Sequence, residues 1–438
     1  MIIQRRKLLM STLFGAGYIG LRALATGIPA AVLMRGRRAL ADTSTCPDAS
    51  KAQYVIMSTS GGGDPINANV PGMYLDAGIV HPTPADKSMD PTQITVGGQP
   101  WMAAAPWATL GATLERTTFF HIMTNTPVHP KEPEVLRLLG ASQPAEMLPS
   151  LLAKQLQPCL GTLQAQPISL GASSPSEGLT FGGQALPIIP PLALKTTLAA
   201  PAGPLAMLTS LRDDTLSQLD GVYRNSATKA QRAYLDSVVL SQTQLRGIND
   251  QLLTTLNMIA DNTVDSQIKA ALALIQMNVT PVIAIHIPFG GDNHNDTVLT
   301  KETSDTIAGV ASINSLMTDL AAINYQDRVS FMTLNVFGRT LMNAQNGRQH
   351  NGNHQVSIAI GSPFKSAVIG GVGPVGKDYG CVAFSSASGA VGGMADVQPP
   401  DSLASFGKTA LAAVGIDSSF IESNIPSGKV ITGALKSS

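Results

Sequence analysis

The sequence predicts an α/β fold with a largely parallel central sheet and helices on both faces. Two observations lead there: short, continuously apolar, β-prone runs recur along the chain, and stretches with helical hydrophobic spacing lie between them. A third is the turn GGGDPINANVP, which follows the first run as a loop follows the carboxyl end of a buried strand.

The chain opens with MIIQRRKLLMSTLFGAGYIG, a positive start followed by a Gly/Ala-rich apolar stretch. That is the layout of a secretory signal, and Arg5 and Arg6 ahead of Leu8 and Leu9 point to the twin-arginine route. Ala39 and Ala41 supply a small-residue cleavage site ahead of Asp42, so residues 1–41 read as a signal peptide and 42–438 as a single α/β domain. Arg22 and Pro29 interrupt the apolar run, which argues against a permanent membrane span. Contact with a membrane is therefore expected only through the signal before cleavage, and the mature protein is expected in the periplasm or outside the cell. Removing residues 1–41 leaves 22 basic against 29 acidic side chains and no basic cluster. A nucleic-acid partner is excluded on that ground, and no other partner is indicated. Three cysteines, Cys46, Cys159 and Cys381, permit one disulfide, and the sequence does not choose the pair.

Strands are predicted at QYVIMS (53–58), TTFFHIM (117–123), PVIAIHI (281–287), VSFMTLN (329–335) and VSIAI (356–360). Helical spacing joins Tyr234, Val238, Leu245, Ile248 and Leu252 behind Ser226, and Ile307, Val310, Leu316, Met317 and Leu320 behind Ser304 or Asp305. The Pro-, Gly- and Ser-rich stretch 161–204 is expected to wrap the surface, and the Gly/Ser-rich segments after 361 to form loops near a functional site.

Six of the seven histidines fall at or just beyond predicted strand ends. Asp64 and Asp292 stand in the turns after the first and third of these strands, and in a parallel sheet such loops share one edge. Asp and His side chains gathered there suit a divalent metal ion: zinc, manganese, magnesium or calcium. Asp64 in Gly-Asp-Pro is equally a turn residue, and His286 inside its strand reads as a core histidine. GGDNHND begins like a calcium loop, but Thr297 occupies the place of the sharp-turn glycine. His350 and His354 would share a helix face, yet Asn351, Gly352 and Asn353 between them favour a loop. A G-x-S-x-G elbow, a Walker loop, H-E-x-x-H and C-x-x-C are all absent from the sequence, and Cys159-Leu160-Gly161 lacks the sulfatase nucleophile pattern.

The twin-arginine start, GGGDPINANVP, the His129-Pro130 pair, DDTLSQLDGVY, GGDNHND, NVFGRT with Asn343 following, GRQH and VIGGVG occur in an order that resembles an exported bacterial family, domain of unknown function 1501. That family is grouped with the alkaline phosphatase-like superfamily, and the resemblance covers nearly the whole mature chain. It implies an alkaline phosphatase-like fold, metal ligands at Asp64, Asp292, His294 and His350, with His354 a weaker candidate, and Arg339 as an anion or structural partner. It also implies catalysis near His129, for which Thr124 and Thr126 are the positional candidates as nucleophile. The family usually carries Ser-Glu where this chain has Asn335 and Val336, Asp where it has Gln349, and Ser where it has Val128. Two readings follow. In one the protein is a catalytically degenerate binding or assembly module; in the other it is a metal-dependent hydrolase of phosphate or sulfate esters.

Overall fold

The computed structural model describes residues 46, 52–63, 66, 68–143, 145–171, 178–198, 218, 250–289, 291–342 and 347–436. The proposed signal peptide, Asp64, Asn343, Ser226 and most of the helical pattern at 234–252 lie outside the described residues.

Seven strands form the central sheet: β1 (Tyr54–Ser60), β2 (Thr117–Ile122), β3 (Ile168–Ser169), β4 (Val282–Ile285), β5 (Val329–Asn335), β6 (Gln355–Ile360) and β7 (Ala367–Ile369). Their order is β7-β2-β6-β5-β1-β4-β3. β1 pairs in parallel with β4 and β5, β3 with β4, and β7 with β2. β6 runs antiparallel to both neighbours, β5 and β2. Every residue of β1, β2, β4, β5 and β6 is buried, which is why these strands read as largely apolar runs without alternation.

The alternation of side chains sorts the strands into two cores. Ile56, Phe119, Ile283, Phe331 and Ile358 share one cluster with α2 (Val264–Gln276) and α3 (Thr300–Ala322). Val55, Met57, Phe120, Ala284, Met332 and Ala359 share the other with α1 (Leu148–Leu160) and α4 (Ser402–Ala413). The α/β architecture with a mostly parallel sheet covered on both faces is thus present. Among the described residues no helix is long and apolar enough to cross a membrane.

Three details differ from the sequence reading. The 161–204 stretch does not merely wrap the surface, because Ile168–Ser169 is the sheet's edge strand β3. α3 begins before Ser304: its boundary residue is Leu299, in the left-handed region, and Asp296 Oδ2 reaches forward to accept the backbone N–H of Glu302 at 2.9 Å. After residue 361 the chain supplies the edge strand β7 and a hairpin, Val372–Val375 with Asp378–Cys381, as well as loops. The disulfide joins Cys46 to Cys159 near the carboxyl end of α1, leaving Cys381 free and buried.

Candidate metal centre

The loops that follow β1, β2, β4 and β5 leave the same edge of the sheet, and their side chains meet there. The β1 loop contributes carbonyls. Gly61 O accepts a hydrogen bond from His129 Nδ1 at 2.5 Å, and Gly62 O and Gly63 O accept from Arg339 NH2 and Nε at 2.7 and 2.8 Å. Gly63 has φ +64°, and a Cβ there would sit 2.0 Å from the Phe337 ring. Glycine is needed so that this ring can slide under the loop. Phe337 in turn packs against the imidazoles of His129 and His350, with ring centroids 4.9 and 4.4 Å away.

Each of the three imidazoles is held through Nδ1. His350 Nδ1 lies 2.7 Å from Pro127 O, His129 Nδ1 bonds Gly61 O, and His294 Nδ1 meets Gln349 Oε1 at 3.0 Å. A carbonyl oxygen only accepts, so Nδ1 is the donor in each ring, and the neutral form of such a ring carries its lone pair on Nε2. This is how ligating histidines are oriented by their outer partners. The Nε2 atoms then converge on Asp292. Oδ1 lies 3.2 Å from His294 Nε2 and 4.0 Å from His350 Nε2, and Oδ2 lies 3.8 Å from His129 Nε2. Ligand atoms of His129, Asp292 and His350 all fall within 4.8 Å of one another. His294 Nε2 and His350 Nε2 are 2.7 Å apart, and two lone pairs at that distance need a positive centre, a metal ion or a proton, to hold them together.

Burial pushes the His350 imidazole down to about 4, with the Arg339 charge and the neighbouring His129 and His294 acting in the same direction against the Pro127 hydrogen bond. His350 is therefore neutral at neutral pH, the form that binds metal. Arg339 is fully buried; besides the glycine carbonyls of the β1 loop it reaches Gly291 O at 3.1 Å and Asp292 Oδ1 at 3.3 Å. It ties the β1 loop to the β4 loop and faces Asp292, the one carboxylate of the centre among the described residues. The ligand side chains remain open to solvent, Asp292 at 55 % and His129 at 35 % exposure.

Of the residues singled out in the sequence, Asp292, His294 and His350 come together as expected, while Asp64 lies outside the described residues. His129, read as a catalytic neighbour, places a ring nitrogen among the atoms that could hold an ion. Thr124 is fully buried with its hydroxyl unpaired among the described residues, and Thr126 is buried beneath Gly352, where a Cβ would lie 2.6 Å from the Thr126 nitrogen. Such hydroxyls are poorly placed to attack a ligand arriving from solvent. His286 is half-buried just past the end of β4, and its backbone N–H donates to Gln267 Oε1 at 2.8 Å.

His354 is not brought to the centre. It is fully buried at the start of β6 and pairs with His121 on β2, Nε2 to Nδ1 at 3.0 Å, while His121 Nε2 donates to Pro71 O at 2.9 Å. Burial holds both rings neutral, pushing His121 down to about 4 and His354 well below its ordinary value. The consequence for stability has a definite sign. His121 has a lower proton affinity folded than unfolded, so its contribution is complete above pH 6.5 and is lost as pH falls toward 4. About 3 kcal/mol of folding free energy is expected to disappear over that window from this residue alone. Urea unfolding from pH 7.5 to 4.5 measures the loss, and proton NMR of the imidazoles locates it. A His121 resonance titrating near pH 6.5 in the folded protein would disprove the assignment.

The sequence reading missed Gln349 as the partner of His294, and it missed a buried ion pair, Glu302–Arg348, that underlies the centre. The only local signal was an arginine inside GRQH, whose partner lies 46 residues away. No protein-family model, no curated protein and no solved structure matches this chain.

Proposed function

We infer that this protein is an exported binding module that holds a divalent transition-metal ion at His129, Asp292 and His350 with His294 beside them, and that it is a member of the alkaline phosphatase-like group it resembles. The observation carrying this reading is the convergence of three Nδ1-anchored imidazoles on one carboxylate. A donor set dominated by imidazole suits zinc best; manganese binds such donors more weakly, and magnesium and calcium prefer all-oxygen shells. The Cys46–Cys159 disulfide supports an oxidising compartment outside the cytoplasm.

A bound ion would supply Lewis acidity toward an ester or acid oxygen. The chain's own residues do the rest. Among the described residues Asp292 contributes the negative charge, Arg339 stays buried 3.3 Å from it as a permanent cation, and the solvent-facing side admits a ligand. With a divalent ion in place the positive charges outnumber Asp292, so an anionic ligand is favoured. Binding rather than turnover is supported by Val128, 45 % exposed beside His129 with no hydroxyl to offer, and by the burial of Thr124 and Thr126.

Elemental analysis of the exported protein tests the metal directly. About one zinc or manganese ion per chain is expected, and Asp292→Asn is expected to lower that occupancy because a neutral amide is a poorer ligand. Metal that stays far below one ion per chain after loading with either ion would sink the reading. The openness of the site favours a second reading, ester hydrolysis. Turnover of generic phosphate or sulfate esters by the unaltered protein, abolished in His350→Ala, would establish it over the binding module.

A further inference from the structure

The metal reading leaves open what holds His294 and His350, 56 residues apart in sequence, with their ring nitrogens 2.7 Å from each other. Beneath them lies the fully buried pair of Glu302, in the first turn of α3, and Arg348. Arg348 grips both carboxylate oxygens of Glu302 through Nε and NH2, and its NH1 donates to Thr340 O and Leu341 O at 2.8 Å each. The carboxylate also accepts from Asn69 Nδ2 at 2.8 Å and from Asn293 Nδ2 at 3.4 Å.

Asn293 stands between the two ligands Asp292 and His294 but is turned the other way, 2 % exposed where Asp292 is open to solvent. Its amide orientation is fixed, because a carboxylate can only accept. Its Oδ1 has no hydrogen-bond partner among the described residues, so the tie to Glu302 is the side chain's one polar contact. Its backbone carbonyl accepts from Asp296 N at 3.0 Å and closes the turn. The second segment comes up against this turn at Gly347. A Cβ there would lie 2.6 Å from Asn293 O and 2.8 Å from His294 O, and its φ is +88°. Glycine at that position lets the segment bearing His350 reach backbone contact with the turn bearing His294.

We propose that Asn293 is a positioning residue for the cation centre: its amide fastens the Asp292–His294 turn to the same Glu302 carboxylate that Arg348 grips, so one buried ion pair sets the spacing of His294 from His350. The inference rests on reading the cluster as a metal centre. Co²⁺, whose visible absorption reports its ligand geometry, is the probe. In titrations of the full mature chain, Asn293→Ala is expected to weaken Co²⁺ binding about 10- to 100-fold, the usual cost of removing an outer partner, and to change the intensity of the visible bands. Asn293→Ser, a gentler change that keeps a small polar group in place, is measured beside it and is expected to weaken binding in the same direction. Melting temperatures of the metal-free proteins are recorded in parallel. Either folded variant taking Co²⁺ with the affinity and spectrum of the parent would overturn the inference and leave the metal centre standing, whatever its melting temperature. Failure of the parent itself to take Co²⁺ would overturn the metal reading and the positioning role together.

Discussion

Replacing Arg348 with methionine is expected to cost the fold about 3–5 kcal/mol, because it leaves the Glu302 carboxylate buried without its counter-charge. Both side chains are completely shielded from solvent, so water cannot take over the lost contacts. Asn69 and Asn293 would still donate to the carboxylate, but two neutral amides do not balance a full negative charge. Denaturant unfolding of the metal-free protein measures the effect. Pairing Arg348→Met with Glu302→Gln is expected to recover part of the loss, since the stranded charge is then removed as well. A single-variant loss below about 1 kcal/mol would mean that the pair is solvated and does not underpin the centre.

Reduction of the Cys46–Cys159 bond is the other large expected effect. The bond closes a loop with a sequence separation of 113 residues. On the chain-entropy account, releasing a loop of that size lowers stability by about 5 kcal/mol, and measured losses for native disulfides run from about 2 to 5. Cys159→Ser, or a reductant, is therefore expected to lower the urea midpoint substantially, with thiol counting confirming that only Cys381 is free beforehand. An unchanged midpoint, with all three thiols free after reduction or both remaining thiols free in Cys159→Ser, would show that the crosslink contributes nothing to the folded state.

Much of the sheet was readable in advance for a physical reason. Strands buried on both faces favour apolar residues at successive positions rather than alternate ones, so β1, β2, β4, β5 and β6 announced themselves as short, largely apolar runs. Direction did not show. VSIAI looks like its neighbours, and only the pairing of Ala359 with Met332 and of Ile358 with Phe119 reveals that β6 runs the opposite way. The edge strands Ile168–Ser169 and Ala367–Ile369 are too short to carry a period. At the centre, Asp292, His294 and His350 were legible because polar residues directly after buried strands share an edge. His354 misled for the converse reason: four residues beyond His350 in sequence, it enters β6 and turns into the core beside His121. Beyond the arginine of GRQH, the Glu302–Arg348 pair and the Asn293 tie could not be read from sequence, since their partners meet only in the fold.

The placement of β1 has a consequence for the order in which the chain can assemble. Its two neighbours, β4 and β5, begin at Val282 and Val329, so the first strand of the sheet has no hydrogen-bonding partner until more than half of the polypeptide has been synthesised. β2 waits longer still, because both of its partners, β6 and β7, begin after residue 350. A nascent chain of this protein therefore carries two largely apolar strands, with bare edges, through most of its translation. The pairings of these two strands close only once the carboxyl-terminal half has been made.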